Sequence, residues 1–241
     1  MAIIYVRPSV RKNCEKNCEK NMSKLIAWSY SRLSSYESCP KKYHAISVAK
    51  SVKDPPNEHS EYGDMVHKAF AQYMRDGTRL PLAIRHFEKY LAPIKAAPGE
   101  KVIEQKITLN AEYQPTGWFD KDAYLRVISD LTQLNGRTGI VWDWKTGKPV
   151  DDFTQLKLTG AVTFLLAEEL EELTLAYFWL KTKKVAPITM KRDECTSVWS
   201  EILPRVQRYQ TAHEDLDFPA RPSYLCAYCP VKSCPHWIQR K

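Results

Sequence analysis

Two short runs, Val127-Ile128-Ser129-Asp130 and Val141-Trp142-Asp143-Trp144-Lys145-Thr146-Gly147-Lys148, flank an Asn135-Gly136 pair. Both residues of that pair tolerate positive φ, so they favour a tight antiparallel turn. The resulting register leaves Asp130 opposite Val141 or opposite Asp143, depending on the length of the loop. In either case the two-residue alternation of a strand puts Asp130, Asp143 and Lys145 on one sheet face. Two carboxylates at cross-strand distance repel each other and call for a cation between them. For oxygen ligands that cation is usually a divalent metal. Lys145, on the same face, is placed to hold an anionic water or a phosphate oxygen.

The rest of the chain supplies helices and further strands. Residues 29–38 have helical punctuation, with Ser29 or Ser31 as N-cap and Pro40 as a stop. Residues 53–57 read as a loop. From Glu58 to Arg75 the apolar residues Met65, Val66, Ala69, Phe70 and Tyr73 recur at helical spacing, and Asp76-Gly77 ends the pattern. His67 lies beside that stripe. Residues 81–91 read as a helix ended by Pro93 and Pro98-Gly99, and residues 101–109 as a strand carrying Glu104. Asp120 and Asp122 are rivals to Asp130, but their surroundings are turn-like. Asp152 or Thr154 can cap a helix running to about Glu172, with Gln155 in its first turn. Residues 173–181 and 187–191 have strand character, and residues 193–213 are helical. This order predicts an α/β fold, a mixed sheet flanked by helices.

Charge and cysteine usage narrow the partners. The formal charge of +8 favours a polyanionic partner. No stretch approaches the roughly 20 apolar residues of a membrane span, and no signal-peptide core follows the start, so a soluble intracellular protein without membrane association is expected. Seven cysteines in such a protein point to metal ligands or free thiols. Cys226, Cys229 and Cys234 form C-x2-C-x4-C, three-quarters of a site that suits zinc or iron–sulfur. Cys195 reads as an ordinary thiol. Cys14 and Cys18 fall in the duplicated units Asn13-Cys14-Glu15-Lys16 and Asn17-Cys18-Glu19-Lys20, a low-complexity stretch. Residues 1–22 are therefore expected to be a disordered or non-native extension, with Met22 as an alternative start and residues 23–241 as the domain.

Several motifs, in order, carry a family resemblance. Asp130 followed by Asp143-Trp144-Lys145 resembles the core of the PD-(D/E)XK nuclease superfamily. Ser29-Tyr30-Ser31-Arg32-Leu33-Ser34-Ser35-Tyr36 with Cys39-Pro40-Lys41-Lys42-Tyr43 is similar to the amino-terminal signature of its RecB-like branch. Gly63-Asp64-Met65-Val66-His67 resembles the branch's histidine motif, Gln155-Leu156 its glutamine motif, and Cys226-Ala227-Tyr228-Cys229-Pro230 with Cys234-Pro235 its terminal cysteine cluster. The resemblance spans roughly residues 25–238. The chain departs from the pattern at Val127, usually glycine, at Thr159, usually tyrosine, and in the four-residue rather than five-residue gap between Cys229 and Cys234.

The resemblance implies a restriction-endonuclease-like core with a terminal cysteine cluster. It implies a metal-dependent DNA nuclease, with exonuclease action the expectation, working in recombination, repair or replication. Asp130 and Asp143 would hold Mg2+ or Mn2+, with His67, Glu104 and the carbonyl of Trp144 as further ligands. Lys145 and Gln155 would complete the catalytic set. Cys39 would join Cys226, Cys229 and Cys234 around a [4Fe–4S] cluster, as in related CRISPR-adaptation nucleases and AddB-type helicase–nucleases. Zn2+, drawing on His236, is the alternative. Exposed aromatics such as Trp118, Trp142 and Tyr36 would stack on single-stranded DNA or DNA ends. A helicase or recombination partner and the cytoplasm of a prokaryotic or phage-infected cell fit the same setting. The rival readings are an inactive nuclease fold that only binds nucleic acid, and a zinc-binding interaction module.

Overall fold

The computed structural model describes residues 25–54 and 58–239. The expected extension, the duplicated units with Cys14 and Cys18, and residues 55–57 of the expected loop lie outside the described residues.

Helix α1 (Tyr30–Ser38) is capped by Ser29, whose hydroxyl accepts the Arg32 N–H at 3.3 Å. Pro40 does not simply stop the pattern. It opens a second short helix, α2 (Pro40–Tyr43), where the missing N–H costs nothing, and the chain continues as a π turn over His44–Val48. Helix α3 (Glu58–Asp76) buries Val66, Phe70 and Met74 on one stripe and ends where Gly77 takes φ +83°. A 3-10 segment, Leu82–Phe87, leads into α4 (Glu88–Ala96). Pro93 lies inside α4 rather than breaking it, since one proline removes a single donor from a helix otherwise held by packing.

The five strands, β1 (Glu100–Leu109), β2 (Leu125–Asn135), β3 (Thr138–Lys145), β4 (Glu172–Trp179) and β5 (Lys184–Lys191), form one sheet in sequence order. Only β3 and β4 run parallel, which makes the sheet mixed, and helix α5 (Thr154–Leu166) makes the crossover between them. Gly160 permits close packing of α5 on the sheet: a Cβ there would come within 2.9 Å of Leu175. The sequence pattern carries this helix to about Glu172, because the apolar run continues into β4. In the fold it stops at Leu166, where the Arg192 guanidinium donates to the carbonyls of Phe164, Ala167, Glu168 and Leu170. β5 begins three residues before Pro187, which an edge strand tolerates. Helix α6 (Cys195–Glu214) and a 3-10 turn, Tyr224–Tyr228, complete the chain.

Apolar residues bury both faces of the sheet. One layer joins Trp28, which precedes α1, and Leu33, Leu156, Phe164, Ile202 and Tyr209 from α1, α5 and α6 to Val127, Val141 and Leu175. The other joins Val66 and Phe70 from α3, Phe87 from the 3-10 segment and Leu91 from α4 to Leu131, Trp144 and Phe178. This is the restriction-endonuclease-like α/β architecture, with the C-terminal cysteines beside α2. Among the described residues no helix is long and apolar enough to cross a membrane.

Candidate active site

The centre of the sheet is kinked, and the kink builds the site. The ladder pairs Ile103↔Leu131 and Gln105↔Ser129 stand on either side of Glu104 and Asp130, which do not pair. Glu104 adopts φ +52°, a left-handed conformation that costs a non-glycine residue on the order of 1–3 kcal/mol when the surroundings impose it. Before and after the kink the strands face different layers: Ile107 and Val127 point toward α5 and α6, Ile103 and Leu131 toward α3 and α4. The Ser129 and Thr132 hydroxyls, three residues apart, come within 2.8 Å across the kink.

The β2–β3 hairpin differs from the sequence reading in two respects. Asn135 pairs with Thr138, so the loop is Gly136-Arg137, with Gly136 at φ +61°. That register brings Asp130 level with Asp143, but the β2–β3 ladder ends at Leu131↔Trp142. Beyond it the Asp130 carboxylate replaces the ladder: Oδ2 accepts the Trp144 N–H at 2.7 Å, and Oδ1 lies 2.9 Å from His67 Nδ1 on α3. Asp143 and Lys145 stay on the α5 side. The expectation that all three share one face fails because the kink turns Asp130 toward His67 on α3.

His67, Glu104 and Asp130 each offer a ligand atom within 4.8 Å of the other two. Lys145 Nζ lies 2.9 Å from Asp143 Oδ2, donates to Gln155 Oε1 at 3.0 Å, and sits 5.2 Å from the centre of the Tyr177 ring. Burial and then the neighbouring Asp130 push the Asp143 carboxyl up to about 6, with Lys145 and His67 opposing. Glu104 is raised by burial and by Asp130. Burial would lower His67, but the Asp130 hydrogen bond and the charges of Asp130, Asp143 and Glu104 outweigh it and raise the imidazole. Excess negative charge is therefore concentrated here, and a divalent cation would relieve it. The donor set of carboxylates and one imidazole fits such an ion.

Tyr177, beneath Lys145, was not singled out from the sequence. Its place opposite Asp143 follows only from the parallel register. Asp120 and Asp122 lie outside the site: Thr116 Oγ1 donates to both, and the Gly117 N–H donates to Asp120. Two of the expected stacking aromatics are engaged in packing. Trp142 stacks on Trp144, and Tyr36 packs edge-on against Tyr43 and Tyr209. Cys39, Cys226, Cys229 and Cys234 line one cavity with Arg221, Val231 and His236. The Arg221 N–H approaches Cys39 Sγ at 3.5 Å and the Ser223 N–H approaches Cys226 Sγ at 3.4 Å. No three of these sulfurs lie within 4.8 Å of one another. Cys195 is half-buried in α6, where burial raises its thiol.

The sequence pattern of the PD-(D/E)XK nuclease superfamily matches residues 27–235. No curated protein is similar enough in sequence to match the chain. Among solved structures, one from Eubacterium rectale, named as a candidate exonuclease, is 13% identical with a TM-score of 0.51, covering 96% of this chain and 95% of that one. The crystal structure of SSO0001 is 14% identical with a TM-score of 0.41, covering 91% of this chain and 90% of the other.

Proposed function

Because this chain belongs to the PD-(D/E)XK nuclease superfamily, we propose that it is a metal-dependent deoxyribonuclease of the RecB-like branch, digesting DNA from its ends. The observation that carries this reading is the convergence of His67, Glu104 and Asp130 beside the Asp143–Lys145–Gln155 chain of contacts. His67, Glu104, Asp130 and Asp143, with the Trp144 carbonyl, would hold Mg2+ or Mn2+. When bound, such an ion acidifies water and neutralises charge on a phosphodiester undergoing hydrolysis.

The protein's own groups have separable roles. Asp143 and Gln155 hold the Lys145 ammonium from two sides, and the Tyr177 ring supports it. Lys145 is thereby preorganised to orient the attacking water or to stabilise the oxyanion that develops. Gln155 spends its amide oxygen on Lys145 and keeps its amide nitrogen as a donor for the phosphate backbone. The Trp144 N–H fixes Asp130, so this carboxylate needs no reorientation when a cation arrives.

The thiol site is proposed to hold a [4Fe–4S] cluster tying α2 to the C-terminal tail. Amide donors to two sulfurs suit cluster thiolates. The likeness to a candidate exonuclease supports end-directed digestion, and a helicase or recombination partner in the cytoplasm of a prokaryotic or phage-infected cell belongs to the same reading. So does the assignment of residues 23–241 to one unit.

The test is digestion of DNA labelled at one end, single- and double-stranded, with Mg2+, with Mn2+ and with chelator. Metal-dependent release of short products from an end is expected. Retained DNA binding with no cleavage under any metal would replace this reading by the binding-only fold. Stoichiometric zinc in place of iron would replace the cluster.

A further inference from the structure

The outer face of β1 and β2 continues past the kink without a covering helix among the described residues. Strand alternation places Arg126, Ile128 and Asp130 on one face, because Leu125 and Val127 point into the α5 and α6 layer. Lys106 pairs with Ile128 and Thr108 with Arg126. Ile128 is 46% exposed, a large apolar side chain open to solvent. The loop joining β1 to β2 folds back over this strip. Its Trp118 ring lies 5.7 Å from Lys106 Nζ and 5.6 Å from the Arg126 guanidinium, and Arg126 Nε donates to the Trp118 carbonyl at 3.0 Å. Beside it Phe119 is 91% exposed, the most exposed large apolar side chain among the described residues.

We infer that Lys106, Arg126, Trp118, Phe119 and Ile128 form a track that binds single-stranded DNA and leads it to the Glu104–Asp130 kink. The inference rests on the nuclease reading for its direction, but its chemistry is independent. Cations spaced along a strand face suit a phosphate backbone, and flat apolar groups suit unstacked bases, the combination that binds single strands. Arg126 lies four residues from Asp130, about 14 Å along the strand, so a chain only a few nucleotides long spans track and site together. Duplex bases are already stacked and offer Phe119 nothing to cover. Asp120 and Asp122 of the same loop are exposed, but they are held by hydrogen bonds from Thr116 and the Gly117 N–H rather than by either cation of the track.

A structural role explains Trp118, clasped by two cations, but not Phe119, which buries almost nothing. Phe119→Ala is therefore the clean probe. Anisotropy of fluorescein-labelled oligo(dT), measured in chelator so that no cleavage intervenes, should show binding weakened about fivefold or more, with no change in melting temperature and with rescue by Phe119→Trp. Lys106→Gln should lower the slope of log affinity against log salt by about 0.7, as expected for one lost single-strand phosphate contact. Unchanged oligo(dT) affinity in Phe119→Ala together with an unchanged salt slope in Lys106→Gln would overturn the track. If the wild-type protein digests DNA in that event, the nuclease reading stands alone. If it binds oligo(dT) through Phe119 but digests nothing, the track stands and the nuclease reading falls.

Discussion

The acidic centre and the thiol centre are built in opposite ways. The acidic centre sits where three strands and α3 converge, and two of its three carboxylates are already partnered: Lys145 holds Asp143, and His67 with the Trp144 amide holds Asp130. The thiol centre is made of short turns, and its 3-10 segment, Tyr224–Tyr228, buries none of its residues. Among the described residues after Glu214, only Val231 is buried. A fold with its own counter-charges tolerates an empty metal site, whereas a tail with almost no apolar core relies on whatever its cysteines bind. The first site is thus expected to govern rate, and the second to govern stability.

The comparison breaks most sharply at the reacting groups. Asp143→Asn and Lys145→Ala should each lower cleavage of labelled DNA by about a hundredfold or more while leaving the circular dichroism melt nearly unchanged. A large loss of melting temperature with proportionate loss of rate would make the acidic centre structural instead. Next in size is Cys39→Ala, which should lose bound iron and several degrees of melting temperature together, at about 2–4 °C per kcal/mol for a chain of this length. Cys195→Ala, away from the thiol cavity, should lose neither, as iron analysis and melting of both variants would show.

A smaller effect concerns pH. Asp143, pushed up to about 6, binds its proton more tightly when folded than when unfolded, so its contribution to stability falls as pH rises toward and through that value. His67, also raised, contributes stability below its unfolded value that is lost as pH climbs through the higher folded one. Both shifts have the same sign. Metal-free protein should therefore melt lower at about pH 8 than at about pH 5.5, and added Mn2+ should flatten the difference. A melting temperature that rises over this range in chelator would refute the charge balance given for the site. The smallest effect is expected for a chain beginning at Met22. Lacking Cys14 and Cys18, it should keep its full iron content and DNA cleavage, both measured on the purified protein.

The hairpin, the succession of elements along the chain and the helical stripe beside His67 were legible because each rests on a local period or a turn residue. Asp143 and Lys145 could be placed together for the same reason. The kink that aims Glu104 and Asp130 was not legible. A left-handed φ at a glutamate depends on what packs on either side of the sheet, and nothing in Ile103-Glu104-Gln105 announces it. The end of α5 was missed because the terminator, Arg192, lies 26 residues past the last helical position. Phe119 escaped notice because an exposed phenylalanine looks the same in sequence as a buried one.

Trp144 joins two duties that are usually separate. Its ring is buried against Phe70 and Phe178, while its backbone N–H holds the Asp130 carboxylate. Phe70 belongs to the helix that also carries His67. The α3 layer is therefore also the alignment frame of the acidic centre. Conservative changes deep in that layer, such as Phe70→Leu, should surface as kinetic defects before they surface as folding defects. On the nuclease reading, sequence change deep in the α3 layer is then constrained by the geometry of the acidic centre as well as by packing.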